Sequence, residues 1–403
     1  MIAVDILFVA LSLLCGHYAI SRVVVDNGLD QYRPLLIKLF YYHIVLSLLF
    51  GWYVTVFGGD ANNYWRFPVR FISPGDSWLD LHAPGTRFIF FLVYPFSQGL
   101  GLSFFTGIMI FSLFGFFGFI CIFLLILNSV KINTSILGSK LFPLVLFLPN
   151  MHFWSGGIGK DSIIFFSVAL FLFGLMAPLR RVHLVAFSLY LAYFVRPHIA
   201  LLMIIGLGVS LLVSSRGLAW YYRIAFLAGT VLLLIWISPA VLDFIGLDNE
   251  SMEDLESVTD LRSRNLSRST VGSAIDISSY SLPLKIFTFL FRPLFFDATN
   301  VFGFFVSFEN LLYLSLFISV LRVSTIKIIV RMPIFLKTGL FIVTTAAIFL
   351  SSSLGNLGII VRQKNMVMFI LVLICLYIRS EQKRLSVSSK GLMSKPAVRS
   401  SGK

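Results

Sequence analysis

SFFTGIMIFSLFGFFGFICIFLLIL, Ser103 to Leu127, runs for 25 residues without a charge. Wound as a helix, it presents Phe, Ile and Leu on every face. Such a helix belongs in hydrocarbon or in the heart of a large protein, and ~20 apolar residues span a bilayer. The rest of the chain decides for the membrane. Of 403 residues, 58% are hydrophobic and only 12% are charged. Apolar runs recur, separated by short polar punctuation, which no soluble domain of this size shows. The period-two alternation of a membrane β-barrel is absent.

The expected fold is therefore all-α, a polytopic membrane protein of about eleven spans. These fall at roughly 2–20, 36–57, 103–127, 141–150, 162–178, 183–195, 199–214, 219–238, 301–320, 334–353 and 366–379, and the short ones between 141 and 214 are open to being broken or tilted. Two further apolar stretches, 88–101 and 284–299, are interrupted by Pro and Gly or Arg and read as interfacial or re-entrant helices. The run after Met1 lacks a basic leader and a small-residue cleavage site, so it reads as a span.

Charge sets the orientation. Segments 21–38, 128–140, 179–181, 215–223, 321–337 and 379–403 hold 20 of the 32 Lys and Arg but 3 of the 18 Asp and Glu. The opposite side holds 12 basic and 15 acidic residues. The balance is +17 against −3, within the chain's total of +14. The positive-inside rule then puts the N-terminus outside and the C-terminus in the cytoplasm. The same distribution accounts for the basic charge without a nucleic-acid partner. Residues 1–379 read as one transmembrane domain with long outer loops at 58–102 and 239–300. The basic, Ser-rich tail 380–403 reads as disordered and lying on anionic lipid. Cys15, Cys121 and Cys375 lie in apolar runs, with neither disulfide nor zinc spacing.

Against this background the outer charges stand out, because charge beside hydrocarbon is costly. GGDANNYWRFP, Gly58 to Pro68, brings Asp60 out at the surface with Tyr64 and Arg66 behind it. Its carboxylate suits a general base, a divalent-cation ligand or a helix cap. WSGGIGKDS, Trp154 to Ser162, joins three glycines to Lys160 and Asp161 at a helix start, which suits a phosphate or merely caps the helix. Its spacing is not that of a Walker loop. YFVRPHIA, Tyr193 to Ala200, places Arg196 and His198 in a tight outer turn, where a snorkelling arginine is the plain alternative. FLFRPLFFD, Phe289 to Asp297, embeds Arg292 among aromatics. In the loop before it, the acidic run Asp248 to Asp260 reads as a solvated helix, and Arg262, Arg264 and Arg268 as closing over a ligand. Glu309 lies within an apolar run and must be protonated, paired or facing a wet cavity, with Arg292 or Arg362 as the candidate partner. Outer cations together point to a phosphate-bearing ligand. Around Asp60 there is no second aspartate of a DxD pair, so no metal is assigned and no cofactor is expected, although a divalent cation stays open.

At GGDANNYW, WSGGIGKD, RPH and FRPLFF the chain resembles the polytopic glycosyltransferases of bacterial polysaccharide clusters, both GT-C-like enzymes and O-antigen polymerase-type proteins. The architecture is similar along most of its length. In GT-C enzymes the early outer Asp follows the first span, whereas Asp60 follows the second. The resemblance implies an inner-membrane enzyme that joins oligosaccharide repeat units carried on undecaprenyl diphosphate, for O-antigen, lipopolysaccharide or exopolysaccharide. Asp60 would be its catalytic residue. Lys160, Arg196, Arg292 and Arg362 would hold the diphosphate, with Asp161, His198, Glu309, Tyr64 and Arg66 in support. A chain-length regulator and a flippase would be its partners, beside membrane lipid. Two other readings stand beside it: a transporter or flippase of a lipid-linked saccharide, and a non-catalytic envelope assembly factor.

Overall fold

The computed structural model describes residues 2–66, 68, 77–136, 139–213, 220–245, 280–298, 301–353 and 357–393. The described chain is nearly all helical. Six helices are long and apolar enough to cross a membrane by length and composition. In chain order, α1 is Ile2–Asn27, α2 Arg33–Phe57, α3 Asp60–Arg66, α4 Thr86–Tyr94 and α5 Phe104–Ser129. Then come α6 Leu141–Leu144, α7 Pro149–Ser155, α8 Lys160–Leu175, α9 Val182–Val195, α10 Pro197–Val213 and α11 Trp220–Ile245. The last five are α12 Leu282–Phe291, α13 Val301–Val320, α14 Val323–Arg331, α15 Ile334–Ser353 and α16 Leu357–Met393. A two-residue β-hairpin pairs Ser135 with Lys140 and Ile136 with Ser139.

The charge-free α5 is the hub. It is buried along most of its length and packs against α1, α2 and α8. Ser103 caps it, its Oγ accepting from the Thr106 amide at 3.3 Å. Asp5 of α1 accepts from the Ser103 amide at 2.8 Å, tying the N-terminal ends of the two helices together. Small residues set the close approaches. A Cβ on Gly16 would meet the Phe40 ring, and one on Gly118 the Phe165 ring. Long apolar side chains on α1 and α13, such as Leu14, Tyr18, Phe305 and Phe308, stay exposed, as suits helices facing lipid.

Two sequence expectations need correction, the start of the last span and the disorder of the tail. The short span at 141–150, open to breakage from its length, is broken: Phe142 is non-helical, Val145–Phe147 forms a 3-10 turn and Pro149 starts a new helix. The last span begins at Leu357, nine residues earlier than expected, and the tail is helical rather than disordered as far as Met393. A Glu381–Arg384 pair at 2.7 Å and a bond from Gln382 Nε2 to Thr325 Oγ1 at 3.0 Å hold the extension. The stretch 321–337 contains the short amphipathic α14. In the stretches 88–101 and 284–298, α4 runs on into a π-helical turn at Pro95–Gly99, and α12 is followed by a 3-10 turn at Phe295–Asp297. The acidic run and Arg262, Arg264 and Arg268 lie outside the described residues.

The bundle has two polar ends. At one meet the residues after α2, the start of α8, the α9–α10 turn and the start of α16. At the other meet the hairpin, the end of α13 and the later part of α16.

Candidate functional site

Three turns and the first part of α16 form the first end. After α2, Gly58 and Gly59 adopt φ of 81° and 157°, conformations that side chains rarely take, and this lets Asp60 open α3 beside the bundle. Gly156 and Gly157 press the loop before α8 onto α2. A Cβ on Gly156 would lie 2.0 Å from Ser47 Oγ, and one on Gly157 2.2 Å from the Phe50 ring. Gly156→Ala is therefore expected to lower stability by about 1–3 kcal/mol. A thermal melt in detergent checks this, and an unchanged midpoint would refute the packing argument.

The loop so placed aims Asp161 at two guanidiniums. Asp161 Oδ1 accepts from Arg196 Nη2 at 2.9 Å, and its Oδ2 accepts from Arg362 Nε. Arg362 Nη1 also donates to Asp60 Oδ2 at 2.8 Å, and its guanidinium lies 5.8 Å from the centre of the Trp154 ring. Arg196 Nη1 faces Met366 Sδ at 3.3 Å. Arg196 and Asp161 are buried, whereas the Asp60 side chain is 53% exposed. Burial pushes the Asp161 carboxyl upward, but the Arg362 and Arg196 charges outweigh it and hold it below the usual carboxylate range.

Lys160 stands just outside the apolar run of α8. It makes no hydrogen bond or ion pair among the described residues. Burial, then the Arg196 charge, bring its amine down to about 8. The Tyr64 hydroxyl is raised to about 12, first by burial and then by Asp60. Three cations face two carboxylates, so one positive charge is left over. A cavity of about 180 Å³ opens here, lined by Gly59, Asp60, Trp154, Gly157, Asp161 and Arg362 among others. Tyr53 lines this cavity and also an apolar one of about 280 Å³ between α2, α7 and α13, where Trp52, Phe302 and Phe305 face Glu309. A larger cavity, about 580 Å³, lies between α9, α10 and α11 without a charged lining residue. Volume thus does not locate the site; charge does.

The remaining candidates lie elsewhere. The Arg292 side chain is bound to Asp297, with Nε to Oδ2 at 2.9 Å, and to the Tyr280 hydroxyl at 3.4 Å. Its described contacts include no member of the Asp161 network. Glu309 does not pair with Arg292 or Arg362. The Tyr313 hydroxyl donates to it, as does the Asn150 amide at 2.9 Å. These partners sit on its own helix and on α7, within closer reach. His198 packs beside Phe349, ring centres 6.0 Å apart. Arg66 ends α3 exposed.

Two buried groups escaped the sequence reading. Lys364 Nζ donates to Asn310 Oδ1 at 2.6 Å and to the Arg292 carbonyl at 2.8 Å. His43 and His152 face each other Nδ1 to Nδ1 at 3.0 Å, while their Nε2 atoms meet the carbonyls of Ser112 and Leu146 at 2.9 and 2.7 Å. Nε2 must donate in both rings, so a bond between the two Nδ1 atoms needs one further proton. A histidine inside an apolar run was itself the available signal. Among the described residues no three His, Cys, Asp or Glu side chains converge as a metal site. Asp60 and Asp161 are both engaged by Arg362. No protein-family model, curated protein or solved structure matches this chain.

Proposed function

We propose that the protein is a multi-pass enzyme of the bacterial inner membrane, with about eleven spans, the N-terminus outside and the C-terminus in the cytoplasm. It joins lipid-linked oligosaccharide repeat units at the outer face. One observation carries this reading: Arg196, Arg362 and Lys160 gather around Asp161 and Asp60, and Arg362, Asp161 and Asp60 line a cavity that adjoins an apolar one. That pairing suits a diphosphate with a hydrocarbon tail. In this mechanism the diphosphate takes up the cations and the tail lies along Trp52, Phe302 and Phe305. An arginine that turns to the diphosphate releases Asp60 to accept the proton of the acceptor hydroxyl. The hydroxyl oxygen bonds to the anomeric carbon. The bond from that carbon to the diphosphate breaks, and the diphosphate leaves with the electron pair, its charge held by Arg362, Arg196 and Lys160. Arg292 drops out of the binding set, because Asp297 and Tyr280 occupy it.

Purified protein in detergent, supplied with lipid-linked oligosaccharide, is expected to lengthen it on a gel, and Asp60→Ala to abolish lengthening. Intact protein that lengthens nothing would refute the reading. A second reading has an observation of its own. Glu309, Lys364 and the His43–His152 pair are buried ionisable groups inside the bundle, as a transport path requires. Conversion without a second compartment separates the two.

Lys160 gives the reaction a pH dependence. With its amine at about 8, Lys160 is charged below that pH and neutral above it. Affinity for the diphosphate is thus expected to fall as pH rises through about 8, and Lys160→Arg to remove that fall. Binding titrations between pH 6.5 and 9.5, roughly three units around that value, check it. A flat wild-type profile would exclude Lys160 as a ligand.

A further inference from the structure

The opposite end of the bundle carries a second charged cavity, of about 260 Å³. Arg379, Gln382, Lys383 and Ser386 line it from one face of α16, at the i, i+3, i+4, i+7 spacing. Ser319 and Arg322 close it from the end of α13, and Thr134 and Ser135 from the hairpin. Its walls are tied together. Arg379 Nη2 donates to the Ser135 carbonyl at 2.9 Å and its Nε to Thr134 Oγ1 at 3.3 Å. The Ile132 amide donates to Ser380 Oγ at 2.8 Å, and Gln382 Nε2 to the Val320 carbonyl at 3.3 Å.

The charge in this cavity is one-sided. Three cations line it and no carboxylate does. The neighbouring acid on α16, Glu381, is paired with Arg384. The Arg322 and Arg379 charges repel each other across the space. The side chains of Arg322 and Lys383 make no hydrogen bond or ion pair among the described residues. Like charges held close cost free energy, which an anion between them reverses. The level of the cavity is set by α14, which Arg322 precedes as N-cap and which exposes Val323, Ile326 and Val330 while burying Ile328. A short helix with such a face lies at the boundary of hydrocarbon and headgroups.

We propose that this cavity binds a phosphate group, that of an anionic phospholipid headgroup, through Arg322, Arg379 and Lys383. Guanidinium forks suit phosphate oxygens, and basic pockets between helices at a membrane surface take such headgroups. This site is separate from the Asp161 cluster and does not depend on the transferase reading.

The test uses the full chain in neutral detergent. It is titrated with short-chain phosphatidylglycerol, with short-chain phosphatidylcholine and with inorganic phosphate, and the thermal midpoint is followed. Phosphatidylglycerol is expected to raise the midpoint saturably and phosphatidylcholine to leave it unmoved. The double variant Arg322→Gln/Lys383→Gln removes two exposed side chains and is expected to weaken binding about tenfold or more. Lys327→Gln/Arg331→Gln removes the same charge from exposed positions on α14 and is expected to change it little. Saturable binding of inorganic phosphate with the same variant pattern would assign the site to free phosphate and keep its chemistry. No saturable binding of either anion, or equal loss in both double variants, would overturn the proposal.

Discussion

Asp161→Asn is expected to leave the protein about 3–5 kcal/mol less stable, the cost of breaking a buried ion pair by removing one partner. Asp161 is the only group that joins Arg196 to Arg362 among the described ion pairs. The Arg196 and Asp161 side chains are each only 9% exposed, so water does little to solvate the charges left behind. Asparagine keeps one acceptor oxygen but no charge, and two guanidiniums would then face each other without an anion between them. Against a whole-protein stability of ~5–15 kcal/mol, this is a large share. A thermal melt of the purified variant, followed by tryptophan fluorescence, measures it. Asp161→Glu retains the charge and should fall between wild type and Asn. If Asp161→Asn melted with the wild type, the buried network would not be holding this end together.

Arg362→Ala is expected to act on rate more than on folding. Arg362 is partly exposed, and its loss leaves Asp161 still bound to Arg196. In the proposed reaction it is the group shared between the carboxylates and the leaving diphosphate. Removing one such donor costs kcat roughly 10²-fold or more. Arg362→Lys should rescue little. The guanidinium reaches Asp161 through Nε and Asp60 through Nη1 at once, and a single ammonium cannot reproduce that fork. The measurement is the initial rate of lengthening at saturating substrate, with folded protein matched. A rate within about threefold of wild type would remove Arg362 from the mechanism.

How far the sequence led depended on whether a signal was local. Asp60, Lys160, Asp161, Arg196 and Arg362 each follow or precede an apolar run, so alternation of spans alone assigns them to one side. All five converge in the structure. Which cation meets which anion was not legible, because pairing depends on how helices pack. Arg292 found Asp297 five residues along its own chain, and Glu309 found Tyr313 one turn along its own helix. Composition misled at the tail. Ser380 onward is polar and basic, but its contacts with α13, α14 and the hairpin continue the helix. Hydropathy likewise could not place the break at 141–155, where Pro143 and Pro149 interrupt an otherwise apolar run.

The helix α16 is continuous over 37 residues, with no proline or glycine between Ile359 and Lys390 to bend it. Arg362 and Arg379 are 17 residues apart on it, roughly 26 Å at helical rise. Both polar ends of the bundle are thus carried on one rigid rod, so any displacement of α16 along its axis would move Arg362 and Arg379 by the same amount.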